Sequence, residues 1–189
     1  MKLVLASTSP RRRDLLARLG VTPDRIQGPD LDESPRPGEL PRAYALRLAE
    51  EKARAVPREE DEIVIAGDTT IAVGRRILNK PEDDADHHAM LRLLSGRRHH
   101  CLSAVCVIDR DDKARTRIAD TIVTFKRLSD AEIDAYIASG EGTGKAGGYA
   151  IQGRAEGLVR YLAGSHSGVV GLPLFETRAL LVAAGWPLG

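Results

Sequence analysis

The chain has 189 residues, 42% of them hydrophobic, enough for one domain with a real core. Its 28 lysines and arginines nearly cancel 27 aspartates and glutamates, which argues against a basic surface holding a nucleic-acid backbone through many phosphate contacts. The opening apolar stretch ends at Ser7, too soon for the hydrophobic region of a signal peptide. No other run reaches bilayer-spanning length, so a cytoplasmic protein away from membranes is expected.

Leu3 to Ala6 predicts a short buried strand, after which Ser9 and Pro10 supply an N-cap and a first-turn proline. In the helix that follows, Leu15, Leu16 and Leu19 sit at helical spacing and Gly20 is the stop. A loop through Pro29, Pro35, Pro37 and Gly38 carries Asp30, Asp32 and Glu33; Pro41 then opens a second helix bearing Leu46, Ala49 and Ala53. Ile63 to Ala66 predicts a second buried strand, interrupted by Gly67-Asp68-Thr69-Thr70 and resumed by Ile71 to Val73.

A third helix runs from about Asp83 to Leu94, stopped by Gly96. Leu102 to Ile108 and Ile118 to Phe125 alternate as the arms of a β-hairpin across the charged turn Arg110 to Lys113. Cys101 and Cys106, five apart in that strand, point to opposite faces and read as small buried residues, neither bridged nor sharing a zinc. Ser129 and Glu132 form a capping box for a fourth helix ending at Gly140. A glycine-dense stretch from Gly140 to Gly157, a strand over Leu158 to Leu162 and a last helix over Pro173 to Ala184 complete the chain. With no repeat and no linker, the elements predict one domain over residues 1–189: an α/β fold with a mixed sheet flanked by helices.

Two places stand out chemically. Arg11-Arg12-Arg13 fall in the first turn of the first helix, where the dipole disfavours cations and the free N–H groups favour an anion. With Ser7, Thr8 and Ser9 just before them, they suit a phosphate, although a solvated basic face has the same composition. Asp68 follows a buried strand, where a carboxylate can hold a divalent cation or deprotonate a water; a turn aspartate bonding its own backbone looks the same in sequence. Asp32 and Glu33 offer a second carboxylate, and magnesium needs only one or two beside substrate phosphates. Lys52 and Lys80 read first as surface lysines, and the glycine-dense stretch around Lys145 and Gln152 either lets backbone N–H groups approach a ligand or marks a tight turn. Gln152 can present a donor and an acceptor to the edge of a base. His87 and His88 are adjacent on a helix, His99 and His100 on a strand, and His166 stands alone in a loop, so none is given a role. No P-loop, dinucleotide fingerprint or GxSxG elbow is present.

Taken in order, Ala6-Ser7-Thr8-Ser9-Pro10-Arg11-Arg12, Glu51-Lys52-Ala53, Gly67-Asp68-Thr69, Asn79-Lys80-Pro81, Lys145-Ala146-Gly147-Gly148-Tyr149-Ala150-Ile151-Gln152-Gly153 and Gly168-Val169-Val170-Gly171-Leu172-Pro173 closely resemble the Maf family of nucleotide pyrophosphatases. The resemblance covers nearly the whole chain. It implies an inosine-triphosphate-pyrophosphatase-like fold, an elongated mixed sheet with the site in a central cleft, commonly as a homodimer. It also implies hydrolysis of a nucleoside triphosphate to the monophosphate and pyrophosphate with Mg2+ or Mn2+. By the same resemblance Asp68 is the general base and a metal ligand, Glu33 an acid near the metal, and Ser7, Arg11, Arg12, Lys52 and Lys80 the phosphate pocket. Arg12, Thr69 and Gln152 resemble the trio of the branch that prefers dTTP and UTP over 7-methyl-GTP. Thr70 and Gly144 depart from the pattern, which often has an aliphatic residue and an aspartate there. The remaining alternative is a nucleotide-sensing regulator of septum formation that binds a triphosphate without turnover; a house-cleaning role and a link to division arrest both stay open.

Overall fold

A computed structural model describes residues 1–188. Its strands are β1 (Lys2–Leu5), β2 (Arg25–Ile26), β3 (Glu62–Val73), β4 (Arg76–Leu78), β5 (Arg98–Ile108), β6 (Ala114–Phe125) and β7 (Val159–Ala163). The helices are α1 (Pro10–Ala17), α2 (Pro41–Arg54), α3 (Asp84–Leu94), α4 (Asp130–Ala138), α5 (His166–Val170) and α6 (Leu174–Ala183), with two short 3-10 turns at Ala146–Gly148 and Arg154–Leu158. The strands form one mixed sheet in the order β2-β1-β3-β5-β6-β7, with β4 beside β3. β1 runs parallel to β2 and β3, and the remaining pairs are antiparallel.

The two sheet faces have different cores because strand residues alternate. Even-numbered Val64, Ala66 and Ala72 of β3 pack with Ala45, Ala49 and Ala53 of α2, a seam of small residues that brings the helix close to the sheet. Odd-numbered Ile63, Ile65 and Ile71 face the larger core built with Leu15 and Leu16 of α1, Leu91 and Leu94 of α3, and Leu180 and Leu181 of α6. Cys101 and Cys106 fall in the two opposite cores, both free and buried. Burial pushes both thiols above their ordinary value, Cys106 to about 11, so neither is a thiolate near neutral pH.

Four expectations are corrected. β3 is continuous through Gly67-Asp68-Thr69-Thr70, because β5 pairs with it residue by residue from Val64 to Ala72 and that ladder carries polar residues through. Both hairpin arms begin earlier in the chain than alternation suggests, at Arg98 and Ala114, and end as expected at Ile108 and Phe125. Ser9 takes the N-cap position of α1 but makes no side-chain cap bond. His166 opens α5, a helix the glycine-rich sequence hides, capped by Ser165 Oγ accepting from Gly168 N at 3.0 Å. β2 and β4 are additional elements, too short to register as periodic runs in the sequence. The capping box at Ser129 and Glu132 is formed as expected.

The pairing of β3 also decides where the cleft lies. One edge is covered by β5 throughout the middle of the strand. On the other edge β1 covers Glu62 to Ile65 and β4 covers Ile71 to Val73, leaving Ala66 to Thr70 without a strand neighbour. A gap in the sheet therefore opens at Asp68, with access to residues of both faces.

Candidate active site

The gap is the floor of a cavity of about 820 Å³, within the size range of small-molecule sites. Ser7, Arg11, Arg12, Asp32, Glu33, Lys52, Asp68, Thr69, Lys80, Lys145 and Gln152 all line it, so the structure brings the acids, the cations and the amide expected from the sequence into one place. Asp30 is not among the lining residues.

Asp68 and Thr70, two apart on β3, face α2, whose small-residue seam allows Lys52 to reach the sheet. Lys52 Nζ donates to Asp68 Oδ1 and to Glu33 Oε2, each at 2.8 Å. Thr70 Oγ1 donates to Asp68 Oδ2 at 2.8 Å, so the residue that departs from the family pattern fixes the second carboxylate oxygen. Asp68 and Lys52 are buried, and Glu33 reaches in from the 28–40 loop. Tyr44 OH anchors that loop by donating to Glu33 O at 2.8 Å. Burial, reinforced by the charge of Asp68, pushes the Tyr44 phenol up to about 12, so it stays a donor. Lys52, which in sequence reads first as a surface lysine, is thus a buried bridge between two acids.

The opposite wall is cationic. Arg12 Nε donates to Gly171 O at 2.9 Å and its Nη1 to Ser7 Oγ at 3.1 Å, while Arg11 Nε donates to Val170 O at 3.2 Å. Both arginines therefore hold the end of α5, whose last carbonyls are the negative end of that short helix. Thr69 Oγ1, on the other face of β3 from Asp68, reaches the same Gly171 O at 3.4 Å. Burial lowers the Arg12 guanidinium from its ordinary value, opposed by the charge of Asp68; it remains a cation. The backbone at Gly67 is pressed between Ala104 O, Leu172 and Arg12, so a side chain there would meet atoms at 3.1–3.5 Å.

The third wall is residues 144–152. Gly147 N donates to Asn79 O at 3.0 Å, His87 Nε2 donates to Gly148 O at 2.6 Å, and Ala150 N donates to Tyr136 OH at 3.0 Å. Tyr149 OH meets His99 Nε2 at 2.9 Å, and its ring packs edge-on against Phe125. Gly147 and Gly148 have positive φ and lie against Ile71 and His87, where a Cβ would come within 3.0 Å. The segment is thereby pinned from α3, α4, β5 and β6 as it delivers Gln152 to the cleft. His87 and His99, given no role from the sequence, act here as supports. Only their tertiary partners reveal it; adjacency in the sequence carries no such signal.

Fold and site together define a mixed α/β protein with an acid–lysine–acid centre in a cation-lined cleft. The family model described as Maf-like protein matches residues 2–184. The chain is 70% identical to the dTTP/UTP pyrophosphatase of Sphingopyxis alaskensis, over 99% of this chain and 98% of that one. It is 61% identical to the dTTP/UTP pyrophosphatase of Novosphingobium aromaticivorans, over 97% of this chain and 92% of that one. Among solved structures, a nucleoside-triphosphatase/dITP/XTP pyrophosphatase of Mycobacterium abscessus aligns at 22% identity and a TM-score of 0.43, over 68% of this chain and 76% of that one. The chain belongs to the Maf family. Among the described residues no helix is long and apolar enough to cross a membrane.

Proposed function

We propose that this chain is a nucleoside triphosphate pyrophosphatase that hydrolyses dTTP and UTP to the monophosphate and pyrophosphate. The observation that carries the reading is Asp68, a buried carboxylate held at both oxygens beside a cationic cleft; the activity for which relatives at 61–70% identity are named supports the substrate.

In the proposed reaction Asp68 accepts a proton from a water. The water oxygen bonds to the α-phosphorus. The bond from that phosphorus to the α–β bridging oxygen breaks, and its electron pair leaves with pyrophosphate. Arg11, Arg12, Lys80 and Ser7 bind the phosphates and shield the water from their charge. Arg12, Thr69 and Gln152 select the base, with Gln152 offering both an amide donor and an acceptor to a pyrimidine edge.

Among the described residues no group of three or more His, Cys, Asp and Glu gathers into a metal cage. Asp68 and Glu33 are nevertheless neighbours, each with one oxygen 2.8 Å from Lys52 Nζ, and an ion would have to sit beside that ammonium on the cleft side of the two carboxylates. Two hard carboxylates with substrate phosphates completing the shell fit Mg2+ or Mn2+. Such an ion supplies charge neutralisation on the phosphates and lowers the pKa of a bound water. A homodimer is part of the same reading, supported by the exposed Tyr161 on edge strand β7 and the exposed Phe175 on α6.

The test is a panel of nucleotides including dTTP, UTP, dCTP, GTP and 7-methyl-GTP, assayed with Mg2+ or Mn2+ and with EDTA, identifying the phosphate released. Pyrophosphate from dTTP and UTP, abolished by EDTA, is expected. Orthophosphate release would overturn the reaction, and tight binding without any release would point to a nucleotide sensor.

A further inference from the structure

Lys145 lines the same cavity as Arg11, from the loop before the first 3-10 turn. Its ammonium makes one long bond, to Thr143 O at 3.4 Å. Among the described residues it has no ion-pair partner, and neither has Arg11, whose terminal nitrogens also make no hydrogen bond. Glu141 attracts Lys145 only at longer range and is engaged by Arg154, accepting from Arg154 N at 2.7 Å and pairing with its Nε at 3.5 Å. Burial lowers the Lys145 ammonium from its ordinary value, and the charge of Arg11 lowers it further. Two uncompensated cations in one cleft repel, and a bound anion relieves both.

Their position relative to Asp68 says which anion. Arg12 lies against Gly67, next to Asp68, and shares Gly171 O with Thr69, whereas Arg11 reaches Val170 O and Lys145 stands in the loop that packs on Ile71 and Asn79 at the β4 end of the gap. In phosphoryl transfer the attacking and leaving oxygens lie roughly in line. A water activated at Asp68 therefore puts the leaving group at the far end of the cleft from it.

We propose that Lys145 and Arg11 form the pyrophosphate end of the cleft, holding the β- and γ-phosphates of the substrate and then the released product, and that inorganic pyrophosphate by itself binds there. The assignment to the leaving group rests on the pyrophosphatase reading above. It makes inorganic pyrophosphate a product inhibitor whose affinity depends on Lys145, while the nucleoside monophosphate is held elsewhere.

The experiment measures inorganic pyrophosphate binding by calorimetry, and inhibition of dTTP turnover by pyrophosphate and by dTMP, for wild type, K145A, K145R and the control K113A, whose lysine is exposed outside the cleft. In K145A the pyrophosphate Ki and Kd should rise about tenfold or more, the size of one charge-assisted hydrogen bond, with dTMP inhibition within about twofold by the same scale. K145R should keep most pyrophosphate affinity, K113A all of it, and the Tm of K145A should equal or exceed that of wild type because a repulsion is removed. Equal weakening of pyrophosphate and dTMP, or no weakening of either, would overturn the proposal. If wild type released no pyrophosphate from any nucleotide the functional reading would fail, whereas direct pyrophosphate calorimetry would still decide whether Lys145 holds that anion.

Discussion

Replacing Asp68 by asparagine is the most searching perturbation of this site. The Lys52 ammonium lies 2.8 Å from Asp68 and 2.8 Å from Glu33, with Asp68 and Lys52 side chains 8% and 7% exposed. At that separation, and with an effective dielectric near 20, each pair carries about 6 kcal/mol of Coulombic attraction, much of it offset by desolvation of the two ions. Deleting one partner of a buried pair typically costs about 3–5 kcal/mol. Asparagine keeps an oxygen for Lys52 to donate to, and Glu33 still neutralises the ammonium. Asp68→Asn should therefore lose only about 1–3 kcal/mol, while Asp68→Ala falls in the full range. The amide cannot accept the water's proton, so kcat should fall roughly a hundred- to ten-thousandfold, the worth of a general base. Urea unfolding, dTTP calorimetry and pyrophosphate release coupled to phosphate detection read stability, binding and chemistry separately. A folded Asp68→Asn protein turning over dTTP within about threefold of wild type would remove Asp68 from the reaction.

Arg12→Lys keeps the charge but loses the fork that spans Gly171 O and Ser7 Oγ; kcat/KM for dTTP should drop about tenfold or more, with the dTTP-to-GTP ratio altered, and unchanged kinetics on both would refute its role. Gly148→Ala forces a side chain into φ +69 with its Cβ 2.5 Å from His87; it should destabilise by about 2–4 kcal/mol and blur selectivity through Gln152, and a wild-type melting curve would count against the pinned wall. Burial pushes His99 down to about 4 from its ordinary 6.5. Since the unfolded chain takes up that proton and the folded chain does not, stability from this group is intact above about pH 6.5 and declines toward pH 4, by roughly 3 kcal/mol at the limit. Denaturant midpoints of His99→Gln should fall less steeply than wild type over that window, and parallel slopes would refute the assignment.

Much of the site is legible from residue types at particular places. Arginines opposing the dipole of α1, an acid after a buried strand, and a glycine-dense stretch ending in Gln152 all line one cleft. The even balance between turn aspartate and buried carboxylate at Asp68 has no solution in the sequence, because a polar tetrapeptide within apolar residues looks like a break whether or not a neighbour pairs with it. Lys52 is ambiguous for a related reason: a helix lysine is buried only if small residues around it let the helix approach, and only the partner strand shows that they do.

The sequence by itself determined the local frame: alternating strands, capped helices, two cysteines on opposite faces and the charges available for an anion. These follow from residue periodicity and end chemistry, which act within a few residues. Only the tertiary structure decided that β5 carries β3 across Asp68 while β1 and β4 leave its other edge bare. Strand pairing depends on chain segments far apart in sequence, and through that gap an acid from one sheet face and a threonine from the other come to share one cleft with cations from α1, α2 and residues 144–152.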